Sequence, residues 1–256
     1  MKIGLIGFGK TGKLVANEII KNENCKLKWV LRKSAKNVGE HASGLLGHND
    51  GEGKIYSIAE IDFNIFFEEN LVDVIIDFSC AEAVDEYVYA AELGTRIVSA
   101  VSNYDGDHLK KLKNLSECTA VLYSPNITLG INFLMEAAKV LQRIAPYADI
   151  EVIEEHYRGK TDVSGTAVKI AKNLGLEQKE HINSIRVGGI IGRHEIVFGL
   201  PNQTIRLIHE SLDRSAFGQG AIYAANWLVN KPKGLYSMEE VLALSFAGGE
   251  DNISKA

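Results

Sequence analysis

Residues 1–20, MKIGLIGFGKTGKLVANEII, decide the fold. A short apolar run, residues 3–6, leads straight into Gly7-Phe8-Gly9-Lys10-Thr11-Gly12, and LVANEII follows with helical spacing. The glycines fall at GxGxxG spacing, and each has a physical task. Gly7 permits a tight turn, Gly9 lets backbone approach a pyrophosphate, and Gly12 lets the helix pack close to the strand. GxGxxG alone is a weak signal. Between a strand and a helix, with another strand about twenty residues on, it predicts a dinucleotide loop at a helix N-terminus.

The second strand, residues 26–31, carries the cofactor choice. A site for NADH ends this strand with an acid that accepts from the ribose 2′-OH. Here it runs into Arg32-Lys33-Ser34-Ala35-Lys36, cations and a hydroxyl suited to a 2′-phosphate. The expectation is NADPH in preference to NADH, with dual use open; a solvated basic turn is the competing reading.

Further along, apolar runs at 72–78, 96–101 and 120–123 alternate with helix-like stretches at 81–93 and 107–115. That alternation calls for a parallel sheet, here a Rossmann-type doubly wound α/β domain. Residues 34–60 read as an irregular excursion. Ligands bind beyond the strand C-termini of such sheets, which puts Ser79, residues 100–103 and residues 124–127 on one rim with the glycine loop. After Pro125-Asn126 the pattern changes. A helix over 128–141 precedes strand-like segments at 150–155, 184–187, 194–200 and 203–211, predicting a C-terminal α+β domain of mainly antiparallel strands. Residues 219–228 and 238–243 turn helical again. The expected division is therefore 1–126 plus 219–256 against 127–218.

Residues 151–167, EVIEEHYRGKTDVSGTA, hold the chemistry. A strand-like start gathers His156, Tyr157, Arg158 and Lys160, then closes on Ser164-Gly165-Thr166 before a helical run. A Ser-Gly-Thr turn opening a helix presents N–H groups and hydroxyls to an anion, with both hydroxyls expected to point outward. Beside a cation and an imidazole, it suits a small carboxylate substrate that needs proton transfer. A capped helix after a solvated basic loop is the bland alternative. The other histidines, 41, 48, 108, 181, 194 and 209, are dispersed and read as structural or exposed, with His194 a candidate for an interface.

Composition excludes several classes. A formal net charge of −5 argues against a general nucleic-acid binder. No apolar run approaches ~18–20 residues, and Met1-Lys2 enters a strand directly, so neither a membrane span nor a signal peptide is expected. Three scattered cysteines without paired spacing predict reduced thiols and no metal site.

Taken together, the glycine loop, VDVIIDFS (72–79), GTRIVSAVSNY (94–104), SPNITLGIN (124–132), EVIEEHYRGKTDVSGTA, SIRVGGIIGRH (184–194) and FGQGA with KPKGLYSMEEVL resemble the dihydrodipicolinate (4-hydroxy-tetrahydrodipicolinate) reductases of lysine and diaminopimelate synthesis. The resemblance covers nearly the whole chain. It implies an N-terminal NAD(P)H domain, a C-terminal domain that binds a dicarboxylate and builds a homotetramer, a cytoplasmic location, and hydride transfer to a conjugated cyclic imine. By position it implies His156 as the acid/base histidine and Lys160 as the proton-donating lysine. Ser164, Gly165 and Thr166, with Tyr157, fall on the substrate side. Ala100, Val101, Ser102, Ser124, Pro125, Asn126 and Ile127 fall on the nicotinamide side, and Arg32 and Lys33 on the ribose or 2′-phosphate. Three places depart from the family pattern: Tyr157 replaces a second histidine, Asp162-Val163-Ser164 is a residue short and lacks proline, and Ala100-Val101-Ser102-Asn103 replaces Gly-Thr-Thr-Gly. A same-scaffold reductase or amino-acid dehydrogenase with another substrate, and a non-catalytic nucleotide sensor, remain the alternatives.

Overall fold

The computed structural model describes residues 1–246 and divides into two units, Met1–Thr128 with Ser215–Ala256, and Leu129–Arg214. Residues 247–256, the end of the expected nucleotide-domain segment, lie outside the described residues.

The first unit is a parallel sheet of β1 (Lys2–Ile6), β2 (Lys26–Arg32), β3 (Lys54–Ser57), β4 (Val74–Asp77), β5 (Arg96–Ser99), β6 (Ala120–Tyr123) and β11 (Gly234–Tyr236). Its order is β11-β6-β5-β4-β1-β2-β3, so the chain winds both ways from β1. Covering it are α1 (Lys10–Lys21), α2 (Ala42–Leu45), α3 (Phe63–Glu69), a 3-10 turn (Ala81–Asp85), α4 (Val88–Glu92), α5 (Gly106–Leu115), α9 (Ala216–Leu228) and α10 (Met238–Phe246). This is the Rossmann-type arrangement expected from the alternation of elements. Its ligand crevice falls where the winding reverses, between the C-terminal ends of β1 and β4. Trp29, Phe66 and Phe67 pack together in the core, Trp29 meeting Phe66 edge-on at 5.4 Å.

Three local features differ from the sequence reading. The excursion over 34–60 contains β3, which pairs with β2 and buries Ile55 completely. With four residues, two of them polar ends, it leaves almost no periodic signal. The stretch 81–93 is not one helix; it breaks at Tyr87, a fully buried residue whose hydroxyl donates to Asp77. Helix α3 was not anticipated, although Asp62 is its side-chain cap, accepting from the N–H groups of Asn64 and Ile65.

The second unit packs α6 (Leu129–Ile144), α7 (Gly165–Asn173) and α8 (Gln178–His181) with β7 (Asp149–His156), β8 (Ile182–Arg186), β9 (Arg193–Leu200) and β10 (Gln203–Glu210). The order is β10-β9-β7-β8. The β10/β9 and β9/β7 pairings are antiparallel, while β7 and β8 run parallel. Leu134, Met135, Ile150, Val152, Ile170, Ile196 and Phe198 form its core. Because side chains alternate along β7, Glu154 and His156 share the buried parity of Ile150 and Val152. Among the described residues no helix is long and apolar enough to cross a membrane.

Candidate active site

In the first unit, the glycine loop has the geometry its spacing demands. Gly7 sits at φ 97°, and a Cβ there would lie 2.7 Å from the Phe78 carbonyl oxygen. A Cβ on Gly12 would come within 2.1 Å of the Gly7 carbonyl oxygen. Gly9 caps α1 and has nothing within 4 Å of its Cβ position, so its backbone is open to a ligand. A cavity of about 450 Å³ brings together Gly7, Phe8, Gly9, Arg32, Lys33 and Ser79, with Glu82 and Glu86 also lining it. Lys10, Thr11 and Gly12 begin α1 outside that lining. Arg32 Nη1 donates to the Lys36 carbonyl (2.9 Å), which fixes the basic turn, while its Nε is buried without a protein partner. A cradle open at Gly9 and an orphaned guanidinium N–H at its rim fit a phosphorylated dinucleotide.

The remaining rim residues follow β5 and β6. Ala100 and Val101 are buried and Ser102 is exposed; Ser124 is buried with its hydroxyl on the Asn126 carbonyl, Pro125 is exposed and Ile127 buried. Beneath them is a carboxyl the sequence reading passed over. Asp77, fully buried at the end of β4, accepts from the Ser79 N–H (2.9 Å), the Ser79 hydroxyl (2.5 Å) and Tyr87 (3.1 Å). Burial pushes its pKa up to about 6 against those three bonds. It thereby fixes the turn that carries Ser79.

In the second unit, His156 ends β7 with its Nδ1 2.5 Å from Glu154 Oε2. Arg186, its register partner on β8, donates to both Glu154 oxygens, Nη1 to Oε2 at 2.9 Å and Nη2 to Oε1 at 2.5 Å. Ser184 adds a 2.6 Å bond to Oε1. Burial raises the Glu154 pKa, but the bonds from Arg186, Ser184, His156 and the Ser164 N–H outweigh it and hold the carboxyl at about 2. Lys160 is half-buried four residues past His156, in a turn whose N–H bonds Tyr157 O; Tyr157 itself is largely exposed.

The Ser-Gly-Thr turn requires a correction. Helix α7 starts at Gly165, two residues ahead of the helical run expected from Ala167, with Gly165 exposed and Thr166 half-buried in its first turn. Ser164, however, is buried and faces inward, its hydroxyl 2.9 Å from His194 Nε2 and its N–H on Glu154. The buried ring behind the turn takes the hydroxyl expected to face a ligand. His194 is therefore not a surface residue: it is buried, edge-on to His156 at 5.4 Å. Burial, then His156 and His209, with a further push from Lys160, lower its pKa to about 4 against the pull of Glu154, so it is neutral near pH 7.

The sequence reading missed Glu154, Ser184, Arg186 and the true place of His194. Glu154 had a signal, a charge at the core parity of a strand; Arg186 had none, because the parallel β7/β8 register is a tertiary fact.

Residues 1–127 match the model for dihydrodipicolinate reductase, N-terminus, and residues 127–242 match that for dihydrodipicolinate reductase, C-terminus. The chain belongs to the dihydrodipicolinate reductase family. It is 33% identical to the 4-hydroxy-tetrahydrodipicolinate reductase of Rickettsia rickettsii (strain Sheila Smith), over 94% of this chain and 98% of that one. The corresponding enzyme of Anaplasma marginale (strain St. Maries) is 32% identical, with 94% and 99% covered. A dipicolinate-bound dihydrodipicolinate reductase from Paenisporosarcina sp. TG-14 has the same fold, with TM-score 0.75 at 24% identity over 93% of this chain and 97% of that one. As a dihydrodipicolinate reductase family member, the chain is an oxidoreductase that uses a nicotinamide cofactor.

Proposed function

We propose that this chain reduces 4-hydroxy-tetrahydrodipicolinate, by way of its conjugated cyclic imine, to tetrahydrodipicolinate in lysine and diaminopimelate synthesis. One observation carries the reading in a chain of this family: the buried Glu154 carboxylate holds the His156 imidazole and the Ser164-Gly165-Thr166 helix start, and its partner Arg186 holds the Lys160 turn. That is an arrangement for holding a carboxylated ligand beside a proton source.

The glycine loop (Gly7, Phe8, Gly9, Lys10, Thr11, Gly12), Ser79, residues 100–102 and residues 124–127 hold the dinucleotide, whose nicotinamide supplies a hydride when bound. Arg32 and Lys33 take the 2′-phosphate, so NADPH binds more tightly than NADH, which is also accepted. Residues 1–126 with 219–256 serve the cofactor; residues 127–218 serve the substrate and assemble a homotetramer in the cytoplasm. Gly165 and Thr166, at the positive end of α7, hold one substrate carboxylate, and Tyr157 contributes a hydrogen bond. Hydride addition leaves an electron pair on an enamine, and Lys160 and His156 supply the proton that quenches it.

Pyridine-2,6-dicarboxylate, a planar dianion, tests the substrate side by calorimetric titration in the presence of NADPH. Saturable binding weakened by Thr166→Val is expected. No binding at millimolar ligand would contradict the dicarboxylate reading and favour a different substrate on the same scaffold.

A further inference from the structure

Glu154 is a fully buried, many-partnered group to which the proposed mechanism gives no chemical step. Its side chain has no exposed surface, and it receives bonds from His156, Arg186, Ser184 and the Ser164 N–H. Arg186 extends the same hub. Its Nε donates to the Lys160 carbonyl (3.0 Å) and its Nη2 to the Asp162 carbonyl (2.9 Å). Glu154 and its partner Arg186 thus fasten the imidazole, the Lys160 turn and the start of α7, three parts drawn from β7, the following loop and a helix.

An ionised carboxylate has lone pairs only, so the nitrogen facing it must carry the hydrogen. In neutral His156 the proton is then on Nδ1, and Nε2 is the nitrogen that takes up and releases a proton. Gly192 packs close beside Nε2 without a side chain: a Cβ there would stand 3.2 Å from it. The other charged or titratable groups around the ring are accounted for. Arg186 on β8 neutralises Glu154, His194 on β9 is uncharged near pH 7, and Lys160 follows in the loop.

We propose that Glu154 is a positioning residue of the reductase: it fixes His156 in the Nδ1–H tautomer with Nε2 reactive, and ties that imidazole to the carboxylate-holding turn. The catalytic consequence rests on the proposed reductase reading; the tautomer does not. A neutral amide at 154 can present either its oxygen or its NH₂ to Nδ1, so the tautomer is no longer dictated. Losing the correct tautomer in a histidine–carboxylate pair costs orders of magnitude in kcat even where geometry survives.

The test uses ¹⁵N-histidine NMR of the full-length parent, Glu154→Gln and Glu154→Asp, with turnover of each using NADPH. Neutral His156 in the parent should be protonated at Nδ1. Glu154→Gln should give a mixed tautomer and a kcat lowered by roughly 10²-fold or more, with NADPH affinity unchanged. Glu154→Asp, which keeps the charge on a shorter arm, should recover part of both signals; a merely structural role would not track the tautomer in this way. An Nε2–H tautomer in the parent overturns the proposal, and this holds even if Glu154→Gln does not fold. A folded Glu154→Gln with parental tautomer and parental kcat also overturns it. A parent with the Nδ1–H tautomer but no turnover counts against the reductase reading and leaves the tautomer assignment upheld.

Discussion

The hydroxyl of Ser164 lies 2.9 Å from Nε2 of His194, and both side chains are buried. The contact turns the first residue of the Ser-Gly-Thr turn inward, while Gly165 is exposed and Thr166 half-buried. Burial, with His156 and His209 close by, also makes His194 a liability in acid. Its folded pKa is about 4 against 6.5 for the free side chain. Between those values the unfolded chain binds the proton and the folded one does not, so stability falls as pH drops from 6.5 to 4 and is unaffected above 6.5. At about 1.4 kcal/mol per unit, the loss is a few kcal/mol. Denaturant melts of His194→Gln should show less acid destabilisation than the parent across this window. Parallel pH profiles would contradict the burial account.

Helix α1 can start where it does only because Gly12 lacks a side chain. A Cβ there would sit 2.1 Å from the Gly7 carbonyl oxygen, a clash with backbone that no rotamer relieves. Gly12→Ala should displace the loop and weaken NADPH binding tenfold or more, a shift of about 1.4 kcal/mol. Calorimetric titration of NADPH checks it; parental affinity would mean that the loop tolerates the shift.

His156→Ala and Lys160→Ala should each lower kcat by roughly 10²-fold or more, the scale of a lost general acid. Circular dichroism and the NADPH dissociation constant should stay near parental values. Near-parental kcat in both variants would refute the assigned roles.

The basic turn after β2 should set cofactor choice. A guanidinium bond to a 2′-phosphate contributes about 1.5–3 kcal/mol, so NADPH should bind about ten- to a hundredfold more tightly than NADH. Arg32→Ala should narrow the preference, Arg32→Ala/Lys33→Ala should nearly abolish it, and added salt should shrink it because Lys33 is exposed. Equal affinities in the parent would leave the turn a solvated surface.

What was legible in the sequence followed local rules. Gly7 and Gly12 announce the nucleotide loop because a positive φ at Gly7 and the packing of Gly12 on the Gly7 carbonyl are set within a few residues, and the apolar runs around Ile75 and Val98 announce buried parallel strands. The helix opened by the Ser-Gly-Thr turn was readable for the same reason. The supporting shell was not. Arg186 reaches Glu154 through the β7/β8 register, and Tyr87 reaches Asp77 across ten residues and a broken helix. His194 read as structural or exposed and as a candidate for an interface, and its neighbours Arg193 and Glu195 are charged. In the fold those alternate to the other side of β9, where Arg193 pairs with Glu155 and Glu195.

The central claim is the reaction itself. Freshly made product of dihydrodipicolinate synthase, mixed with NADPH and the purified full-length chain, should consume NADPH in proportion to substrate added and to enzyme concentration. Tetrahydrodipicolinate should appear mole for mole, and His156→Ala should remove most of the rate. NADPH consumption no faster than in the enzyme-free control would contradict the account.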